Sequence, residues 1–152
     1  VACAMGWLWQ RLGRTDWLRP PARPESEGLG KGAAFWGSVR HDVMHAGGFF
    51  PQNALMLMTM YQHVYVDIGA LSWTPIAGDL LEPFLQEAKR RRMLDRVMFG
   101  SDQMSWPEAI ALAIDRVNRL DFLTVEEKAH IFYDNAAKFL GLPAEEIARH
   151  HR

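Results

Sequence analysis

Two ionisable side chains stand where α/β proteins usually do chemistry. Asp102 follows the apolar run Val97-Met98-Phe99 by three residues, past the Gly100-Ser101 pair that ends it. His45 sits before Ala46-Gly47-Gly48, where glycines let backbone and substrate approach closely. Functional groups in such folds gather at the carboxyl ends of parallel strands, so a carboxylate and an imidazole just past two buried strands are candidates for proton transfer or metal ligation. Each has a plainer reading as well: Asp102 as a loop aspartate bonding nearby amides, His45 as a histidine satisfied by a carbonyl. Asp67, in the run Val64-Tyr65-Val66-Asp67-Ile68, either points inward or supports the other two through hydrogen bonds. His41 lies four residues before His45, roughly 13 Å away along an extended chain and too far to share a metal with it. His63, His130, His150 and His151 read as solvated.

The elements that position these residues follow from hydrophobic pattern. A strand is predicted over residues 42–46, ending at Gly47-Gly48, and a helix over 52–61 with Ala54, Leu55, Met58 and Tyr61 on one face. The run 64–68, closed by Gly69, is the second strand. After the Trp73-Thr74-Pro75 turn, a helix begins near Pro83, carries Phe84, Leu85 and Ala88 inward, and ends in the basic run Lys89-Arg90-Arg91-Arg92, favoured by the macrodipole. The third strand covers 97–100. Ser105 with Glu108 has capping-box spacing before a helix whose apolar face is Ile110, Ile114 and Val117. Thr124 with Glu127 opens another helix toward Phe132, and a last short one over 135–140 stops at Gly141, with Pro143 beyond. Strand alternating with helix three times implies an α/β fold with a parallel sheet and right-handed crossovers.

Residues 1–40 have a different character. Four of the six tryptophans (Trp7, Trp9, Trp17, Trp36) lie there beside Pro20-Pro21, Pro24 and the cluster Gly28-Leu29-Gly30-Lys31-Gly32. A short helix over residues 5–12 fits, followed by turn and loop. The glycine cluster lacks a preceding strand and a Ser or Thr after its lysine, so it reads as a linker and not as a phosphate loop. The chain therefore divides into an irregular segment, 1–40, and an α/β unit, 41–152.

Bulk composition narrows the function. In 152 residues, 49% hydrophobic, 17 Lys and Arg balance 18 Asp and Glu for a net charge of −1. That balance argues against nucleic acid or a membrane surface as partner and favours a small-molecule substrate. One cysteine, Cys3, excludes an internal disulfide and fits the cytoplasm. No apolar run is long enough to span a bilayer, and the start Val1-Ala2-Cys3-Ala4-Met5 lacks a secretory n-region. The eight methionines read as core filler.

Four stretches together carry a resemblance: Met44-His45-Ala46-Gly47-Gly48, Val64-Tyr65-Val66-Asp67-Ile68-Gly69, Val97-Met98-Phe99-Gly100-Ser101-Asp102, and Ile131-Phe132-Tyr133-Asp134-Asn135-Ala136-Ala137-Lys138-Phe139-Leu140-Gly141-Leu142. In order and spacing they resemble the C-terminal part of the amidohydrolase-related proteins, metal-dependent hydrolases and decarboxylases of the aminocarboxymuconate-semialdehyde decarboxylase type. The resemblance covers about residues 41–142. It implies the last three strands of a TIM-type (β/α)8 barrel, with Asp102 matching the eighth-strand metal ligand and general base, and His45 matching the sixth-strand acid/base histidine or oxyanion partner. It also implies a divalent metal ion, zinc foremost, held further by a His-x-His pair and a fifth-strand histidine that this sequence lacks. The expectation is thus a C-terminal portion of a metal-dependent enzyme acting on a small organic acid or amide, which alone holds no tight metal and self-associates. The rival expectation is a non-catalytic truncated chain or a binding module.

Overall fold

A computed structural model describes residues 39–73, 78–103 and 106–152. The irregular segment, its short helix and its glycine cluster lie outside these, apart from Val39 and Arg40. So do Thr74, Pro75 and Ser105.

Three parallel strands, β1 (His41–Val43), β2 (Val64–Asp67) and β3 (Val97–Met98), form an open sheet in the order β1-β2-β3. Asp42 lies opposite Tyr65, and Asp67 opposite Met98. Every residue of β2 is buried, as a central parallel strand covered on both faces should be. Helices α1 (Pro51–Met60) and α2 (Gly78–Arg90) follow β1 and β2, and α3 (Ala109–Asn118) follows β3. Leu55 and Met58 of α1 and Leu81, Phe84 and Leu85 of α2 close over Val66, Ile68 and Val97 to make the core.

The strand predicted over 42–46 ends at Val43. Met44–Gly47 instead form a tight 3-10 turn in which His45 and Ala46 hold left-handed backbone, φ 55° and 47°. The third strand likewise stops at Met98, two residues short of Gly100. Helix α2 starts at Gly78, so Pro83 is inside it rather than at its start. The proline's missing N–H falls near the helix start, where it withholds a partner only from the Asp79 carbonyl, one turn back. The inward face of α3 is Ala109, Ala113 and Val117, while Ile110 and Ile114 are 37% and 38% exposed. Alanines let this helix approach the Ala70–Ser72 turn closely, and bulk alone misidentifies its face. Helix α3 begins one residue after Glu108, which gives it no side-chain cap; Ser105, the other half of the expected box, lies outside the described residues.

The box at Thr124 and Glu127 forms in full, with Glu127 N–H donating to Thr124 Oγ1 at 3.1 Å and Thr124 N–H to Glu127 Oε2 at 2.8 Å. It opens α4 (Val125–Ala129), which runs through a π-helical turn, His130–Asp134, into α5 (Asn135–Leu140). Gly141 ends α5 in left-handed conformation, as expected, but a further helix follows, α6 (Ala144–His150). The wider hydrogen-bond spacing of a π turn upsets the i to i−4 ladder, and Ile131 O accepts Phe99 N–H at 2.7 Å. Asn135, buried, donates to the carbonyls of Leu94 and Val97, both at 2.7 Å. The outer edge of β3 is thereby covered by a helix.

Helix α5 continues along the amino ends of the strands: Phe139 meets Tyr65 edge-on, and Arg40 donates to the Lys138 and Phe139 carbonyls. Arg96 ties down the same end by donating to the carbonyls of Met58, Tyr61 and Val64. The carboxyl ends of the strands carry the ionisable groups.

Candidate functional site

His45 and Asp102 come together at the carboxyl edge of the sheet. His45 Nε2 is 3.7 Å from Asp102 Oδ2, much closer than the roughly 10 Å backbone separation of strands one apart. Both residues hold left-handed backbone, Asp102 with φ 47°. That conformation is uncommon outside glycine, and non-glycine residues held in it cluster at functional sites.

Asp67, left open between two roles by the sequence, lies inward beside the histidine. Its side chain is 1% exposed, Oδ1 accepts the Gly69 N–H at 2.7 Å, and the same oxygen is 3.7 Å from His45 Nδ1. The Ala70 N–H also points at Nδ1, from 3.4 Å. His45 thus lies between a buried carboxylate on one ring nitrogen and a half-buried one on the other.

Two glycines make room for this line. A Cβ on Gly69 would sit 2.6 Å from His45 Nδ1 and 2.8 Å from Asp67 Oδ1, and one on Gly100 2.8 Å from Asp67 Oδ1. Neither glycine has positive φ, so space and not backbone freedom demands them. Asp42 is the residue sequence reasoning missed. Both its oxygens are buried without a hydrogen-bond partner, as is Asp67 Oδ2. Burial, then the charge of Asp67, pushes the Asp42 carboxyl up to about 7. The available signal was an acidic residue between His41 and Val43 in a strand, where aspartate is depleted.

The other histidines stay apart from the site. His41 meets His63 with ring centroids 5.5 Å apart, His130 lies near Glu126 and Asp134, and the Tyr133 hydroxyl is 2.6 Å from His150 Nδ1. Trp73 and Trp106, from the loops after β2 and β3, meet edge-on at 6.3 Å on the same side as His45 and Asp102. A groove of about 360 Å³ bordered by Lys89, Leu94, Glu127 and His130 includes none of the site residues.

Among the described residues, no three His, Cys, Asp or Glu side chains converge to hold a metal ion. A zinc-type site takes three or four protein ligands, so Asp102 with one histidine nearby does not make a complete one. What the arrangement can do by itself is move a proton: an imidazole held between carboxylates accepts or donates at Nε2. No helix among the described residues is long and apolar enough to cross a membrane.

No curated protein matches the chain. The family model described as amidohydrolase does match, over residues 39–142, a span that holds β1, β2, β3, the His45–Asp102 pair and the helix ending at Gly141. The chain belongs to the amidohydrolase family.

Proposed function

We propose that this chain forms the C-terminal part of a (β/α)8-barrel enzyme, a metal-dependent hydrolase or decarboxylase acting on a small organic acid or amide. The observation that carries the reading is the approach of His45 Nε2 to Asp102 Oδ2 at the carboxyl edge of the sheet, both residues in left-handed backbone. In this reading His45 is the general acid/base or oxyanion partner. Asp102 is an anionic donor to a divalent cation, with zinc the first candidate, and a general base. The remaining ligands come from outside the described residues, since these bring no further His, Cys, Asp or Glu to Asp102 in a cluster of three. The single cysteine and the near-neutral charge fit a cytoplasmic setting and a small-molecule substrate.

In the complete protein, Asp102→Asn is expected to lower both metal occupancy and turnover, because it removes the charge that holds the cation. His45→Asn is expected to leave the metal in place and lower the rate, because it removes a proton carrier and no ligand. Metal analysis beside turnover of small carboxylic acids and amides decides. Occupancy and rate unchanged in Asp102→Asn would remove Asp102 from the site, and loss of metal in His45→Asn would contradict its role. A complete protein that takes up no metal would favour the second reading, a non-catalytic binding or assembly module, which the absence of a three-ligand cluster among the described residues supports.

A further inference from the structure

We infer that the outward side of α1, centred on Met56 and Met60, is a docking surface for a second copy of this chain, the two α1 helices packing antiparallel across a two-fold axis beside Met56.

Helix α1 turns Ala54, Leu55 and Met58 into the core. At 3.6 residues per turn, Met56 and Met60 share the side opposite these three, one turn apart, and they are 63% and 64% exposed. The flanks of the helix have other neighbours. On one, Thr59 accepts a hydrogen bond from Arg91, just past α2, at 3.3 Å. The other, with Leu57, is where the preceding helix of the proposed barrel would lie. Completing the barrel therefore leaves the side of Met56 and Met60 open, and the inference stands apart from the enzymatic reading above. Phe49 and Phe50, at the start of α1, extend the apolar surface and are 64% and 68% exposed.

The chemistry of this surface suits its own copy. Residues 43–66 contain no Asp, Glu, Lys or Arg, in a chain where 23% of residues are charged. Nothing on α1 repels a like copy, and nothing on it offers a salt bridge to an ionic partner. The helix also has no acidic residue in its first turn and no basic one in its last, so its dipole, about half a charge at each end, is uncompensated by side chains. An antiparallel copy sets each positive end beside a negative one. With the axis at the middle of this ten-residue helix, Met56 meets its counterpart, and Met60 reaches Phe49 and Phe50 at the start of the other helix, a sulfur–aromatic pairing. The two phenyl groups, at about 150–250 Å² each, leave roughly 200–330 Å² open at their exposure. With the methionines, the surface reaches the few hundred Å² that call for a partner and stays below the roughly 800 Å² per partner of a standard interface. The dimer is a weak, reversible one.

Sedimentation of the 152-residue chain up to about 1 mM, a range suited to an interface of this size, should give a monomer–dimer equilibrium that levels off at twice 17.4 kDa. Met56→Lys and Met56→Asp should each weaken the dimer about tenfold or more, because the axis sets two like charges face to face. An equimolar mixture of the two should regain it, since unlike charges then meet. Met60→Lys should weaken it as well, but mixing with Met60→Asp should regain nothing, because Met60 faces phenyl groups and not its counterpart. Circular dichroism checks that these exposed substitutions keep the fold. Should the Met56 variants fail to fold, the stoichiometry of the unaltered chain and the Met60 variants still decide. A chain that stays at 17.4 kDa overturns the inference, since the surface then serves some other partner. So does association unmoved by Met56→Lys, which places the contact elsewhere, such as the edge of β1. Growth beyond the dimer, a Met56 mixture that stays monomeric, or a Met60 mixture that regains the dimer overturns the two-fold geometry and the inference with it.

Discussion

Replacing Gly69 by alanine should injure the site from a position that contributes no functional group. The new Cβ would lie 2.6 Å from His45 Nδ1, 2.8 Å from Asp67 Oδ1 and 3.1 Å from His45 Cε1. Ordinary contact begins near 3.4 Å, so the closest atom must retreat by 3.4 − 2.6 = 0.8 Å. Asp67 is buried and tied to the Gly69 N–H, whereas the His45 side chain is 24% exposed and has somewhere to go. The imidazole therefore moves first. Overpacking of this kind costs about 1–3 kcal/mol. A useful comparison is Gly48→Ala, where nothing lies within 4 Å of the added carbon but φ is +63° with ψ −118°, a region that L residues rarely adopt; strained backbone of this kind costs about 1–3 kcal/mol.

The two variants can thus show similar losses for different reasons, and a His45→Ala background separates them. With the imidazole gone, the Gly69→Ala penalty should shrink by about 0.5–3 kcal/mol, the range for residues in contact, while that of Gly48→Ala stays the same. Urea unfolding of the six chains, the unaltered chain and His45→Ala each alone and with either glycine variant, read as midpoint at constant slope, measures both terms. A Gly69→Ala chain within about 0.5 kcal/mol of the unaltered one, or an equal penalty in both backgrounds, would refute the argument that these groups are packed against one another.

Two further expectations follow from the same geometry. The Asp42 carboxyl rises from 3.8 to about 7 on folding, so the folded chain binds that proton more tightly than the unfolded one; its stabilising contribution is full below about pH 3.8 and is lost as pH rises through about 7. Urea midpoints of the unaltered chain should therefore fall relative to Asp42→Asn between those values, and a constant difference would rule out the buried acid. Phe49, Phe50, Met56, Met60 and Leu112 are exposed, and β1 has a strand neighbour on one side only among the described residues, so light scattering should give a mass above 17.4 kDa that grows with concentration; a constant 17.4 kDa would refute self-association.

The sequence discloses this sheet unevenly, and the reasons are physical. β2 is legible because a strand covered on both faces needs an unbroken apolar run, which Val64-Tyr65-Val66 supplies. The same coverage hides the role of Asp67: with every residue of β2 buried, alternation says nothing about which way its carboxyl points. β1 reads too long because nothing in the residue types of His45 and Ala46 announces left-handed backbone; Gly47-Gly48 marks a turn but not where it begins. α3 misleads because its contact face is made of alanines, and α6 is missed because Gly141 and Pro143 look like an end when Pro143 stands at the start of another helix.

What the sequence could not display at all is the difference between the two ends of the sheet. At the amino ends, Asn135, Arg40 and Arg96 donate to carbonyls that would otherwise lack partners. Toward the carboxyl ends the balance is reversed: Asp42 and Asp67 retain three buried oxygens with no donor, beside an imidazole that touches two carboxylates only at 3.7 Å. Buried polar groups are nearly always satisfied, and the exceptions call for a reason. In a chain that spends Asn135, Arg96 and the exposed Arg40 on capping carbonyls at one end, donor-poor carboxylates at the other are no general laxity of packing. They lie beside the His45–Asp102 pair to which the proposed function assigns proton transfer, so the pH response of Asp42 tests the surroundings of that pair and not stability alone.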